Sequence, residues 1–208
     1  MKHCLSPTPF LAALALMLAC ERREEQAAIY APIVAGTILQ FETLRPDPDN
    51  EVNPSDRLQL RVLQTKQADN GLEVVCEYST LQGTTTTTIL CQKDGGVFFV
   101  GADGSKSLRL PPGFPDKTAS WQSNRATFQV LGRAKANLEG IELYDPIGVW
   151  VEATTIPPQP SSPYFFWKGK ARILFLPGIG EAETRVLHEG NWVTVSRLVG
   201  VGTSTESM

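Results

Sequence analysis

The chain has 208 residues, 42% of them hydrophobic and 20% charged, the proportions of a globular rather than a disordered protein. At this length roughly 70% of the unfolded surface is buried on folding, so a dense disulfide staple is not required. A net charge of −3 argues against a nucleic-acid partner bound through its phosphates, and two histidines in the whole chain leave little scope for His-based metal sites or His-dependent triads.

Lys2 precedes an apolar run from Phe10 to Ala19 that ends at Cys20. A helix needs roughly 20 apolar residues to cross a bilayer, so this shorter run, with a charged start and small residues at its exit, reads as a secretory signal. Cleavage by an ordinary signal peptidase after Ala19 would put Met17 at −3, a poor fit. Met17-Leu18-Ala19-Cys20 instead resembles the lipobox of bacterial lipoproteins. That resemblance implies cleavage behind Ala19 and lipidation of Cys20, with Glu21 at the following position favouring the outer membrane over inner-membrane retention. Several acyl chains, at about 0.8 kcal/mol per buried CH₂, anchor a protein without a spanning helix. Removal of residues 1–19 takes away Lys2 and leaves 189 residues at a net charge of −4. Residues 20–32 read as the lipidated cysteine and a polar tether, whose last dozen residues reach about 40 Å when extended.

From residue 33 to 199 the pattern is that of a single antiparallel β domain. Residues 46–56 form an acidic stretch in which Asp47, Asp49 and Glu51 carry oxygen ligands of the kind Ca²⁺ prefers. The glycine and terminal glutamate of an EF-hand loop are missing, so a solvated turn is the reading and no metal site is assigned. Leu58, Leu60 and Val62 alternate with Gln59 and Arg61, as Ala126, Phe128 and Val130 do with Thr127 and Gln129. Ile147, Val149 and Val151 share a face opposite Trp150 and Glu152. Ala171, Ile173 and Phe175 repeat the rule, with Leu174 on the other face implying burial on both sides. Period-two runs of β-branched and aromatic residues between turn signals predict an all-β meander, a strongly curved sheet or half-barrel. Residues 132–141 are the one stretch that could form a short helix.

Gly83-Thr84 suits a two-residue hairpin loop between strands near 72–81 and 86–92. Ala102-Asp103-Gly104 can turn one strand into the next, and His188-Glu189-Gly190 suits a three-residue hairpin loop. Pro111-Pro112-Gly113-Phe114-Pro115 and residues 157–163 cannot continue a ladder; the second is a candidate contact surface. Gly178-Ile179-Gly180 reads as a tight turn. Residues 200–208, rich in glycine and polar residues, read as a disordered tail.

With Cys4 lost with the signal and Cys20 lipidated, Cys76 and Cys91 remain. A Gly83-Thr84 loop sets them opposite one another, which predicts a disulfide in an exported protein. The chain has no Gly-x-Ser-x-Gly elbow, no His-Glu-x-x-His pair and no P-loop. His188, the sole histidine of the mature chain, falls at a hairpin tip without an orienting partner. No catalytic residue and no cofactor is assigned.

Leu176-Pro177-Gly178-Ile179-Gly180-Glu181 resembles the Pro-Gly-Val-Gly turn and final hairpin of the TapB-like group of exported bacterial proteins. Leu110-Pro111-Pro112-Gly113 and Trp121 resemble that group's Pro-Gly…Trp segment. The group is distantly similar to the curved-sheet lipoprotein carriers LolA and LolB, which implies an open antiparallel sheet around a cavity for acyl chains. Trp150, Leu174, Leu187 and Trp192 lie on faces opposite other apolar residues. Such strands either line a lipid cavity or pack under a helix or a second sheet. The sequence thus reads as a membrane-anchored, non-catalytic envelope lipoprotein that binds an amphipathic ligand such as lipid in its curved sheet. The alternatives are an assembly module for another envelope protein and a hydrolase with an unrecognised carboxylate site. Nucleic acid is not an expected partner.

Overall fold

The structure is a computed structural model that describes residues 29–46, 52–123, 126–138, 141, 147–155 and 169–204. These residues form one antiparallel sheet of twelve strands: β1 (Thr37–Pro46), β2 (Val52–Ala68), β3 (Gly71–Thr80), β4 (Gly83–Gln92), β5 (Val97–Val100), β6 (Lys106–Leu110), β7 (Ser120–Ser123), β8 (Ala126–Lys135), β9 (Ile147–Thr155), β10 (Lys170–Leu176), β11 (Gly180–His188) and β12 (Asn191–Thr203). The spatial order is β6-β5-β4-β3-β2-β1-β12-β11-β10-β9-β8-β7. Two six-stranded meanders therefore meet where the first strand pairs with the last. Seven of the eleven ladders carry a register shift, and each bulge bends and twists its strand. Their sum curls the sheet into a nearly closed barrel whose two edges, β6 and β7, face each other. There the Ser123 hydroxyl donates to the Leu108 carbonyl, and Arg109 reaches from β6 to the carboxylate of Glu181 on β11.

The predicted alternation is the one the barrel uses. Leu60, Val62, Phe128, Val149, Val151, Ala171, Ile173 and Phe175 are all buried on the inner face. Leu174 is buried on the opposite face, the two-sided burial expected of β10. One end of the barrel is stoppered by aromatic side chains. Tyr30 and Phe114 meet edge to face at 5.0 Å, and Phe114 also packs edge-on against Trp121 at 5.8 Å and Phe175 at 5.9 Å. Trp121 stacks on Phe128 at 4.9 Å. The segment holding Tyr30 is fixed by a hydrogen bond from the Gly178 amide to the Ile29 carbonyl (2.8 Å). Arg133 closes over the stopper with two bonds to Asp116, at 2.8 and 2.9 Å.

Several boundaries and turns differ from the sequence expectation. Tyr30 and Ala31 lie in the core, so the folded unit starts before residue 33, inside the stretch expected to be tether. Residues 132–135 are strand, not helix, because β8 continues past a bulge at Leu131 to pair Lys135 with Ile147. Gly200 to Thr203 are not a disordered tail: they extend β12 and pair with β1, Gly202 opposite Ile38. The final hairpin loop has two residues rather than three. His188 pairs with Asn191, and Glu189 and Gly190 take φ values of 48° and 82°, the left-handed pair of a type I′ turn. The turns at 101–105 and 177–179 fall where expected.

The Cys76–Cys91 disulfide is not formed; both thiols are free and buried. The β3–β4 turn is centred on Leu81 and Gln82, with Gly83 pairing with Thr80 at a positive φ of 135°. That choice slides the ladder so that Cys76 faces Thr87 and Cys91 faces Leu72, four residues out of step. Burial pushes the Cys76 thiol up to about 11 and the Cys91 thiol up to about 12. An unfolded chain releases these protons near pH 8.5, so between there and the native values the unfolded state binds fewer protons. Stability therefore falls as pH rises through that window.

Two outcomes are expected. Native protein should resist thiol-specific labelling at Cys76 and Cys91 at pH 8, both should label in urea without reductant, and their double replacement by alanine should flatten the loss of stability above pH 9. Phe114→Ala should cost about 3–5 kcal/mol in urea unfolding, the usual range for an emptied aromatic site; a loss below 1 kcal/mol would contradict the stopper.

Candidate functional site

The sites expected from sequence are distributed as follows. Ala19 and Cys20, the acidic residues Asp47, Asp49 and Glu51, and the Pro-rich residues 157–163 lie outside the described residues. Gly178-Ile179-Gly180 is a turn at the stoppered end, with φ of 72° and 90° at its glycines. His188 sits half-buried at the end of β11. Among the described residues no group of three or more His, Cys, Asp or Glu side chains could hold a metal ion.

Where its walls are fully buried, the interior is packed with side chains. Leu39, Val74 and Cys76 on one meander and Val149, Val151, Ala153 and Ala171 on the other are all 0% exposed. A void wide enough for an acyl chain would leave accessible surface on these walls. Toward the end away from the stopper the lining continues with the partly buried Leu58, Tyr78 and Phe99. Trp150, Leu187 and Trp192, whose position opposite apolar residues suggested lipid-lining strands, are on the outside of the barrel, next to charge.

That outer face holds the most distinctive side-chain cluster. On β10 and β11 Arg172 and Arg185 are direct cross-strand partners, and like charges so placed are destabilising. Each is stacked on a tryptophan two strands away. The Arg172 guanidinium lies 4.2 Å from the ring centre of Trp192 on β12, and that of Arg185 lies 4.9 Å from Trp150 on β9. Cation–π stacking of this kind contributes about 0.5–1 kcal/mol at exposed sites and holds the long side chains in defined positions. Arg172 Nε donates to Glu152 (3.4 Å), which also receives Lys170 Nζ at 3.0 Å. Arg185 Nε donates to Glu183 (2.5 Å), whose same oxygen accepts from the Thr194 hydroxyl (3.3 Å). The Lys170 hydrogen bond, followed by the attraction of Lys170 and the contacts of Arg172, holds the Glu152 carboxyl below its usual range against the opposing effect of burial. Among the described residues, both arginines make their hydrogen bonds through Nε, which leaves their Nη groups without a partner there.

A cleft of about 260 Å³ opens beside this cluster, lined by Arg172, Arg185, Trp150 and the β8 segment Leu131 to Ala134. The bulge at Leu131 shapes it. Leu131 is turned out to 46% exposure, and at Gly132, with φ of 139°, a Cβ would meet nothing within 4 Å. Three cations from Arg172, Arg185 and Lys170 stand against two carboxylates, Glu152 and Glu183, while Arg133 is neutralised by Asp116. A positive charge that is uncompensated among the described residues, beside an apolar floor, suits an anion that carries an apolar or ring-shaped body. Sequence reading set the two tryptophans on the strand faces opposite the other apolar residues, as candidate cavity lining, and missed the arginines, because only the β10–β11 register brings them together.

The remaining outer face also carries charge at mid-strand, at Glu42, Arg61, Glu73, Glu77 and Arg197. A membrane-spanning barrel would present an apolar band of about 25 Å there. No helix among the described residues is long and apolar enough to cross a membrane.

No protein-family model matches the chain, and no curated protein matches it. Solved structures do share its fold. One, from Bacteroides fragilis, is described as an exported protein with a YmcC-like fold. It is 15% identical, with a TM-score of 0.58, and the match covers 85% of this chain and 100% of that one. Another, from Parabacteroides distasonis, is described as a lipoprotein. It is 13% identical, with a TM-score of 0.51, over 84% of this chain and 99% of that one. At these identities the likeness establishes the fold.

Replacing Arg172 by threonine removes one cation of the like-charged pair together with one stack and one partly exposed ion pair. These effects oppose one another at about 0.5–1 kcal/mol each. Arg172→Thr should therefore change unfolding free energy by less than about 1 kcal/mol; a loss of 3 kcal/mol would make the cluster a structural element.

Proposed function

We propose that this protein is a non-catalytic binding module of the bacterial cell envelope, tethered by lipid at Cys20 and presenting the Arg–Trp face of its barrel to an anionic, amphipathic ligand. The observation that carries the binding reading is the directly opposed Arg172–Arg185 pair, a break with cross-strand charge rules on a platform of two tryptophans. Departures from local consistency of this kind concentrate at functional sites. The fold is no guide to the ligand, since one fold hosts many functions.

The anchor reading rests on the signal and lipobox residues Lys2 to Cys20. It is supported by the fold shared with proteins described as exported and as a lipoprotein. Following Glu21, we take the membrane to be the outer one and the domain to face the periplasm. Eight residues, 21–28, separate Cys20 from Ile29, whose carbonyl is held at the stoppered end of the barrel. Their reach is at most about 30 Å, so the stoppered end stays near the bilayer. The likeness to TapB-like proteins and LolA-type carriers rests on residues 110–121 and 176–181 alone, and the ligand reading moves from the concave to the convex face. A second reading, docking of another envelope protein, draws on the facing edges of β6 and β7, since unpaired strand edges invite pairing.

The anchor is tested by detergent-phase partitioning of protein from an export-competent bacterium. Wild-type protein should enter the detergent phase with its signal removed, and Cys20→Ala protein should keep its signal unprocessed at the lipobox and gain no acyl label. Normal processing and partitioning of the Cys20→Ala protein would rule the lipid anchor out.

A further inference from the structure

We infer that the cleft beside Arg172 and Arg185 takes a phosphate ester, with the phosphate between the two guanidinium groups and the esterified body over Leu131, Gly132 and Trp150. This deepens the convex-face reading and rests on it. Both Nε atoms are occupied by Glu152 and Glu183, while the Nη groups have no hydrogen-bond partner among the described residues. Two guanidinium ends thus remain available from adjacent strands, on side chains 39% and 43% exposed. A carboxylate offers two oxygens in one plane and is satisfied by one guanidinium fork. A tetrahedral phosphate ester offers oxygens in more than one direction and can engage both forks at once. The tryptophan stacks hold the forks in place before the ligand arrives, so less side-chain freedom is lost on binding.

The surrounding charge fits the same ligand. Glu152 is shared between Lys170 and Arg172, and Glu183 between Arg185 and Thr194, so neither carboxylate is left to repel an incoming anion unaided. The bulge at Leu131 sets an apolar ledge beside the arginines. Bare inorganic phosphate would leave that ledge uncovered, which makes the ester, rather than the free ion, the better ligand.

Isothermal titration of the mature lipoprotein in a non-ionic detergent tests this with phenyl phosphate, inorganic phosphate and benzoate. Phenyl phosphate should bind at least tenfold more tightly than either of the others. Arg172→Gln and Arg185→Gln should each weaken it by about tenfold or more, the loss of a charge-assisted hydrogen bond, whereas Lys66→Gln on the far side of the barrel should not. Unchanged thermal unfolding in both arginine variants keeps a loss of binding from being a loss of fold. Benzoate binding as tightly as phenyl phosphate, with the arginine dependence intact, would overturn the phosphate assignment and leave the convex-face site standing. Absence of any arginine-dependent binding would overturn both. Repeating the titration with glucose 1-phosphate and with micelles containing phosphatidylglycerol separates the two sources of such a group. Preference for either supports the ester, and heat from neither would count against it.

Discussion

The ladder between β1 and β12 is the constraint on which the molecule depends. It pairs residues as distant as Thr37 and Thr203 and turns two separate six-stranded meanders into one sheet. The Glu42–Arg197 ion pair at 3.1 Å crosses the same ladder. Without it each meander would expose an apolar inner face that has no other partner. With it, accumulated bulges bring the two inner walls together and leave β6 and β7 as the meeting edges. Pairing the ends of the chain carries a large loop-closure cost, and such non-local topology folds slowly. Both adjoining hairpins can form first, since each is local.

Closure divides the barrel's surfaces between two tasks. The inner face is filled with apolar side chains, the Arg109–Glu181 ion pair and the stopper of Tyr30, Phe114, Trp121 and Phe175, which ties the N-terminal segment to one end. The outer face is then free to carry chemistry that an apolar core excludes. On β9 to β12 it holds two arginines that repel each other and two tryptophans that hold them in place. The cleft edge comes from a bulge in β8, so the geometry of the proposed site is set by strand curvature rather than by a loop. Placing the site on a rigid sheet keeps the guanidinium positions fixed.

Much of the fold was legible in sequence because its signal is local. Alternation at Leu58–Val62, Ala126–Val130 and Ala171–Phe175 needs only neighbouring residues to be read, and it assigns the inner face correctly. The errors arise where a local reading is degenerate. Gly83 has positive φ either within a two-residue loop or just after one, and the second choice slides the ladder and parts Cys76 from Cys91. Gly132 and Ala134 are weak strand formers, yet pairing with β9 holds them in β8. Gly200 and Gly202 look like a tail until β1 lies beside them. Tyr30 looks like tether because its partner, Phe114, is 84 residues away in the chain. The Arg172–Arg185 pair is invisible for the same reason, since its meaning lies in a register set by a bulge.

A filled barrel that binds on its convex face has no room for a lipid inside it. Native mass spectrometry of the protein exported from a bacterium, purified in a mild detergent and followed by organic extraction, tests this most directly. A single mass, equal to the exported chain with whatever covalent groups it carries, is the result expected of a filled interior. A stoichiometric, non-covalent lipid that survives release from detergent, and that Arg172→Gln and Arg185→Gln leave in place, would contradict the account and return the ligand to the inside of the barrel.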